Sequence, residues 1–189
     1  PNGIRGDTWT FERVKKSKES GCQYLTVAIE SAVQDVIDKV VKKKLDLNEV
    51  DRLMEYCQDV NLRLNAFYII GLPGETKDDI MYTLNYALNR YDKYDVLPVI
   101  NLVKALPGTE LYENTVNNHL YTDKLEFKPN EITTKEFDPK WIAEQYAWFR
   151  RELNKIRITK SLKSPRELRR SFQIFFDKVN DKMAQHRVN

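Results

Sequence analysis

Four short stretches put polar or glycine-rich residues directly after apolar runs: Arg5, Glu30-Ser31, Gly71-Leu72-Pro73-Gly74-Glu75 and Lys104-Ala105-Leu106-Pro107-Gly108. A carboxylate such as Glu30, set straight after an apolar strand, needs a partner or a ligand. Ser31 has a sufficient job as a helix cap. Arg5 and Lys104 can hold an anionic group or simply reach solvent. The glycines and prolines make sharp turns, and glycine also lets backbone come close to a flat or bulky ligand. Other chemistries lack their pattern. There is no His/Cys/carboxylate group at metal-ligand spacing, no nucleophilic serine elbow and no phosphate-cradling loop with its lysine. No catalytic residue and no metal ligand is therefore assigned within this chain. His119 and His186 stand alone in polar segments and read as solvated.

The elements that must position these stretches alternate strand and helix. Residues 1–5 read as the tail of a strand. Thr8 or Thr10 can cap a helix bearing Phe11, Val14 and Ser17, with Gly21 at its end. Residues 24–29 form a short apolar strand. Ser31-Ala32-Val33-Gln34 then reads as a capping box before a helix with Val33, Val36, Ile37, Val40 and Val41 on one side, and Asp46-Leu47-Asn48-Glu49 opens the next in the same way, with Val50, Leu53, Met54 and Cys57 inward. The most apolar run, 62–70, is a strand that feeds a helix capped by Thr76 and lasting to about Arg90. A further strand, 96–103, precedes a short helix. Pro98 marks this strand as a sheet edge, since proline has no N–H for a ladder.

Repeated strand–helix units with apolar strands predict a parallel sheet covered by helices. No spaced-glycine dinucleotide fingerprint opens any helix. The fold class is therefore α/β, a partial (β/α) barrel of which only later strands are present, followed by a helical extension. The boundary falls near 120, giving a barrel part at 1–120 and a mainly helical part at 121–189. In the latter, Asp138-Pro139 opens a helix with Ile142, Tyr146, Phe149, Leu153 and Ile156, and Ser164-Pro165 opens another with Leu168, Phe172, Phe175, Phe176 and Val179. About four strands are visible where a closed barrel needs eight. That shortfall and the initial Pro1 predict a fragment of a larger enzyme whose first strands lie upstream.

The chain of 189 residues is 41% hydrophobic and 31% charged, hence globular, and a net charge of +3 gives no global case for nucleic acid or an anionic membrane. No apolar run approaches a membrane span. Cys22 and Cys57 are too few and too far apart for a disulfide framework or metal knuckle, and read as buried inert thiols in a reduced, cytoplasmic protein. The basic residues from Arg150 to Arg170 lie on helices that bear acidic residues too, such as Glu152 and Glu167. A solvated face is the default reading, so nucleic acid is disfavoured.

Four motifs in their order carry a resemblance: Pro1-Asn2-Gly3-Ile4-Arg5, Ala28-Ile29-Glu30-Ser31, Phe67-Tyr68-Ile69-Ile70-Gly71-Leu72-Pro73-Gly74-Glu75-Thr76 and Leu106-Pro107-Gly108-Thr109-Glu110-Leu111-Tyr112-Glu113. Over about residues 1–115 the chain resembles the radical S-adenosylmethionine (SAM) superfamily, particularly its cobalamin-binding type. The resemblance implies a six-stranded partial barrel, of which this chain would hold the third to sixth strands. It implies reductive cleavage of SAM by a [4Fe–4S] cluster to give a 5′-deoxyadenosyl radical, with cobalamin a further cofactor open to this type. Residue by residue, Glu30 and Ser31 match the site for the SAM ribose, Ile69 and Gly71 the motif that packs on adenine, Leu106 a backbone contact to adenine, and Arg5 a strand end facing SAM or substrate. The fifth-strand motif departs in two places: Phe67 stands where the family has glycine, and Glu75 is one position late. The CxxxCxxC loop that ligates the cluster is absent, as is the glycine-rich motif for the SAM amino group. The implied partner is therefore the preceding part of the same protein, with the substrate open among small molecules and macromolecules. Two rivals stand beside this reading: a fragment of a closed-barrel lyase or aldolase, which needs strands after Val103, and a non-catalytic binding or scaffold module that contacts RNA through its basic helices.

Overall fold

The computed structural model of the chain describes residues 3–122 and 124–163. Three parallel strands, β1 (Tyr24–Glu30), β2 (Arg63–Ile70) and β3 (Leu97–Leu102), lie side by side in that order. The register runs Thr26, Asn65, Leu97 and then Ala28, Phe67, Val99 across the sheet. On the far side of β1, Ile4 forms a parallel bridge with Val27, its N–H donating to the Thr26 carbonyl at 2.6 Å. Residue 4 is thus the strand tail that the sequence predicts. Among the described residues β3 pairs only with β2. Its ladder continues to Val103, whose N–H donates to the Ile70 carbonyl at 3.0 Å. Strand N–H groups alternate in direction, so Val103 facing β2 turns the Pro98 nitrogen toward the open edge, where no donor is needed.

The helices are α1 (Phe11–Glu19), α2 (Gln34–Val36), α3 (Leu47–Asp59), α4 (Lys77–Tyr94), α5 (Glu110–Asn117) and α6 (Pro139–Lys163). Most caps are as predicted. Thr10 accepts from the Arg13 N–H and Asp138 from Trp141, and Thr109, which was not expected as a cap, accepts from Tyr112. Thr76 and Asp79 cap α4 reciprocally. Each cap satisfies an N–H that the helix itself leaves unpaired. Helix α4 outlasts its predicted stop near Arg90 because cross-helix bonds hold its last turn: Arg90 reaches Asp51 on α3, and the Tyr94 hydroxyl donates to Glu55 at 2.9 Å.

Two sequence expectations are corrected. Ser31-Ala32-Val33-Gln34 is no capping box: α2 starts at Gln34 with no side-chain cap and passes at once into a π turn, Ile37–Val41. The reason is tertiary. Ser31 is bonded to Thr83 of α4, and the Gln34 amide spans to the Leu45 carbonyl and the Leu47 N–H. At α3, Asp46 accepts from the Asn48 N–H, while Glu49 pairs with Arg52 rather than reaching back.

One sheet face is dry. Val27 and Ile29, then Leu64, Ala66, Tyr68 and Ile70, then Ile100, are buried on the side where α3 packs on β2 and α4 on β3. The inward residues of α3, Val50, Leu53, Met54 and Cys57, and Ile80, Leu84 and Ala87 of α4 complete this core. The other face is only half covered at Ala28, Phe67, Ile69 and Val99, and it leaves Asn101 exposed. Alternation along the strands separates the two faces. Two compact units divide the chain, Pro1–Phe149 and Arg150–Asn189. The predicted helix after Ser164 and His186 lie outside the described residues. Among the described residues no strand follows Leu102, and no helix is long and apolar enough to cross a membrane.

Candidate functional site

Parallel strands bring the segments after β1, β2 and β3, and the residue after Ile4, to one end of the sheet. Arg5 lies there. Its guanidinium forks onto Asp7 through two 2.8 Å bonds and donates to the Lys43 carbonyl at 3.1 Å and also to the Lys44 carbonyl. Burial works to raise the Asp7 carboxyl, but the Arg5 hydrogen bonds and charge outweigh it and hold Asp7 below its ordinary value. Arg5 thereby ties the first segment to the loop that follows the π turn.

Glu30 sits at a bulge where β1 slips against β2, with φ +74°, a left-handed backbone that non-glycine residues seldom adopt. Its carboxylate has the partner that the sequence argument demanded: the Lys43 ammonium lies 3.0 Å from Oε1 and also donates to the Ala28 carbonyl at 2.6 Å. Ser31 is fully buried. Its hydroxyl accepts from the Val33 N–H and shares a hydrogen bond with Thr83, which also accepts from the Ala32 N–H. Ser31 therefore pins the β1 end to α4 and is no helix cap.

The β2 end is the most constrained. Ile69 lies on the half-covered face, and Ile70 on the buried one. Gly71 then turns with φ +91°, and a Cβ there would stand 3.2 Å from Val103 Cγ1. Leu72 to Glu75 form a tight turn closed by the Glu75 N–H on the Leu72 carbonyl at 3.1 Å. Pro73 supplies the fixed φ, and Gly74, at φ +103°, the position that requires a left-handed residue. The Glu75 side chain folds back beneath the turn. Its Oε2 accepts from Gly71 N at 2.9 Å and Leu72 N at 2.7 Å, which satisfies two donors left without a strand partner. The sequence left Glu75 as a motif residue out of register, yet it is the group that closes the loop. Lys43 and Thr83 were also missed, since nothing in a run of three lysines or in the middle of a helix marks a partner so distant in sequence.

After β3, Val103 and Ala105 join Ile132 in a small core with Leu72, Leu111, Tyr112, Leu120 and Leu125 packed on it. This core holds the 71–75 loop beside the 103–112 segment. Leu106 projects outward at 45% exposure, and its carbonyl accepts from the Thr109 N–H and hydroxyl. Lys104 is exposed. A cavity of about 380 Å³ opens nearby, lined by Val40, Leu72, Pro73, Leu111, Asn114 and the ion-paired Lys42 and Glu110. A second, of about 620 Å³, lies between α3 and α4 beside Asp51 and Arg90. Arg5, Glu30, Ser31, Ile69, Gly71 and Leu106 line neither of these cavities.

An open parallel sheet with its turns gathered at the strand ends is one wall of a partial (β/α) barrel. Residues 1–87 match the family model of the radical SAM superfamily. Among known proteins, a cytidylyl-2-hydroxyethylphosphonate methyltransferase of Streptomyces wedmorensis is 35% identical over 75 residues, covering 36% of this chain and 14% of that protein. An uncharacterised methyltransferase of Pyrococcus horikoshii is 26% identical over 117 residues, 61% of this chain and 24% of that protein. The matched portions thus span about a quarter or less of either relative's length.

The superfamily implies SAM and a [4Fe–4S] cluster as cofactors. The donor set described here does not fit the cluster. Among the described residues no three His, Cys, Asp or Glu side chains stand together. Cys22 and Cys57 lie at the entry ends of β1 and β2, opposite the turns, and burial pushes the Cys57 thiol up to about 12, far from the thiolate that iron needs. The half-covered face at Ile69 and the clamped turn at Gly71 do fit a flat, partly apolar ligand.

Proposed function

We propose that this chain supplies part of the SAM-facing wall of a radical SAM enzyme, with the cluster ligands carried by another portion of the protein. The complete enzyme reductively cleaves SAM at a [4Fe–4S] cluster, which generates a 5′-deoxyadenosyl radical. Here Ile69 offers its side chain to adenine, the Gly71 backbone approaches the same ring, Leu106 contributes backbone, and Glu30 with Ser31 stands at the ribose end. Arg5 takes a place at the edge of the wall near the substrate. Both relatives are named methyltransferases, which favours methyl transfer as the outcome, and the cobalamin-binding resemblance makes cobalamin a second cofactor in this reading.

The observation that carries the reading is the junction Ile69–Gly71, where a half-covered apolar side chain is followed by a turn that is locked from beneath by Glu75. Titration of the chain with SAM, followed by amide chemical shifts, tests it. Residues 28–31, 69–72 and 104–107 should shift together, and Ile69→Asp should weaken binding at least about tenfold by placing a charge against the ring. Shifts confined to α6, or an Ile69→Asp variant that binds like the parent, would overturn the assignment.

A further inference from the structure

A carboxyl with one idle oxygen lies directly beneath the proposed wall. Glu75 is 1% exposed. Its Oε2 is doubly occupied by the Gly71 and Leu72 N–H groups, whereas Oε1 is buried with no hydrogen-bond partner among the described residues. A buried carboxylate is ordinarily met by donors on both oxygens or by a cation. The charged group that bears on this one is Asp79 of α4, which has the same sign. Lys39 on the π turn and Lys42 just after it, both lining the nearby cavity, are engaged by Asp35 and Glu110. The side chains set against Gly71 and Gly74 are Val103, Ile142 and Val40. In its protonated form the group suits the site better. The carbonyl oxygen alone can accept both N–H groups, and Oε1 becomes an uncharged hydroxyl. Burial, aided by Asp79 and opposed by the Leu72 and Gly71 N–H groups, pushes this acid up to about 8.

We propose that Glu75 is a positioning residue for the adenosyl wall: as the uncharged acid it holds the Gly71–Leu72 peptide behind Ile69, and on ionisation it draws toward water and releases that peptide. The adenosyl part of this statement rests on the function proposed above. The clasp itself does not, so the two can fail separately.

The experiment is a pH titration of the isotopically labelled chain by NMR, reading the Glu75 carboxyl carbon and the Gly71 and Leu72 amides, with SAM affinity measured in parallel. The three signals should share one midpoint near 8, and SAM affinity should fall about tenfold between pH 7 and 9 as the proton is lost. Glu75→Gln mimics the acid, with its carbonyl on the two N–H groups. It should keep the low-pH amide positions at all pH values and flatten the affinity profile. Glu75→Ala should lose both. A Glu75 midpoint below about 6, or a Gln variant indistinguishable from the Ala variant, would refute the clasp. A normal clasp titration without SAM binding at any pH would refute the wall, and the positioning role with it.

Discussion

Replacing Gly71 by alanine isolates the contact that makes this turn what it is. Gly71 and Gly21 share the same φ, +91°, so an alanine at either position meets the same backbone penalty of roughly 1–2 kcal/mol. Both also gain a few tenths to about 1 kcal/mol from a stiffer unfolded chain. The surroundings differ. At Gly21 nothing lies within 4 Å of the new Cβ, whereas at Gly71 Val103 Cγ1 stands at 3.2 Å and Ile142 Cδ1 at 3.8 Å. Val103 belongs to the ladder through its bond to Ile70 and cannot retreat freely, so crowding adds about 1 kcal/mol. Gly71→Ala should therefore cost about 2 kcal/mol and Gly21→Ala about 1. With a urea slope of about 2 kcal/mol per molar, the midpoints should differ by about 0.5 M at unchanged slope. Combining Gly71→Ala with Val103→Ala should recover about 1 kcal/mol of coupling in a double-mutant cycle. Equal midpoints for the two glycine variants, together with a coupling of zero, would show that Val103 imposes nothing on the turn.

Other expectations concern charge and chemistry. Lys43→Met removes the partner of Glu30 and a donor to the Ala28 carbonyl. Both side chains are about three-quarters buried, so the loss should be about 1–2 kcal/mol in urea melts, with Glu30→Gln partly restoring it. Glu75 should make the fold less stable as pH rises. The folded state keeps a proton that the unfolded chain releases from about 4.5, so this contribution is complete below 4.5 and lost by about 8, a span of at most about 5 kcal/mol. Calorimetry at pH 5 and 9 should show the fall, and Glu75→Gln should flatten it. After reconstitution with iron, sulfide and a strong reductant, this polypeptide by itself should form no 5′-deoxyadenosine from SAM, as read by chromatography. Its appearance would sink the view that the cluster ligands lie elsewhere.

Much of the scaffold was legible because its causes are local. The strands observed at 24–30 and 63–70 follow from the apolar runs at 24–29 and 62–70, the inward face of α3 from helical spacing, and the turns from Gly71, Pro73 and Gly74. The edge position of β3 could be inferred from Pro98 alone, since a residue without an N–H cannot serve an inner ladder. The order of the junction motifs carried a resemblance to the radical SAM superfamily over about residues 1–115, and residues 1–87 match that superfamily's family model.

What the sequence could not decide is which polar side chains meet. Ser31 looked like a cap because Gln34 stands three residues later, but Thr83, 52 residues away, takes its hydroxyl. Glu30 needed a partner, and only the fold says that Lys43, among three consecutive lysines, is near enough. Glu75 had a motif but no role until Gly71 turned with positive φ and brought two unpaired N–H groups over its carboxyl. Local propensity and periodicity depend on a few neighbouring residues and can be read along the chain. Burial and hydrogen-bond pairing depend on which distant segments share a dry space, and the packed tertiary structure alone determines that.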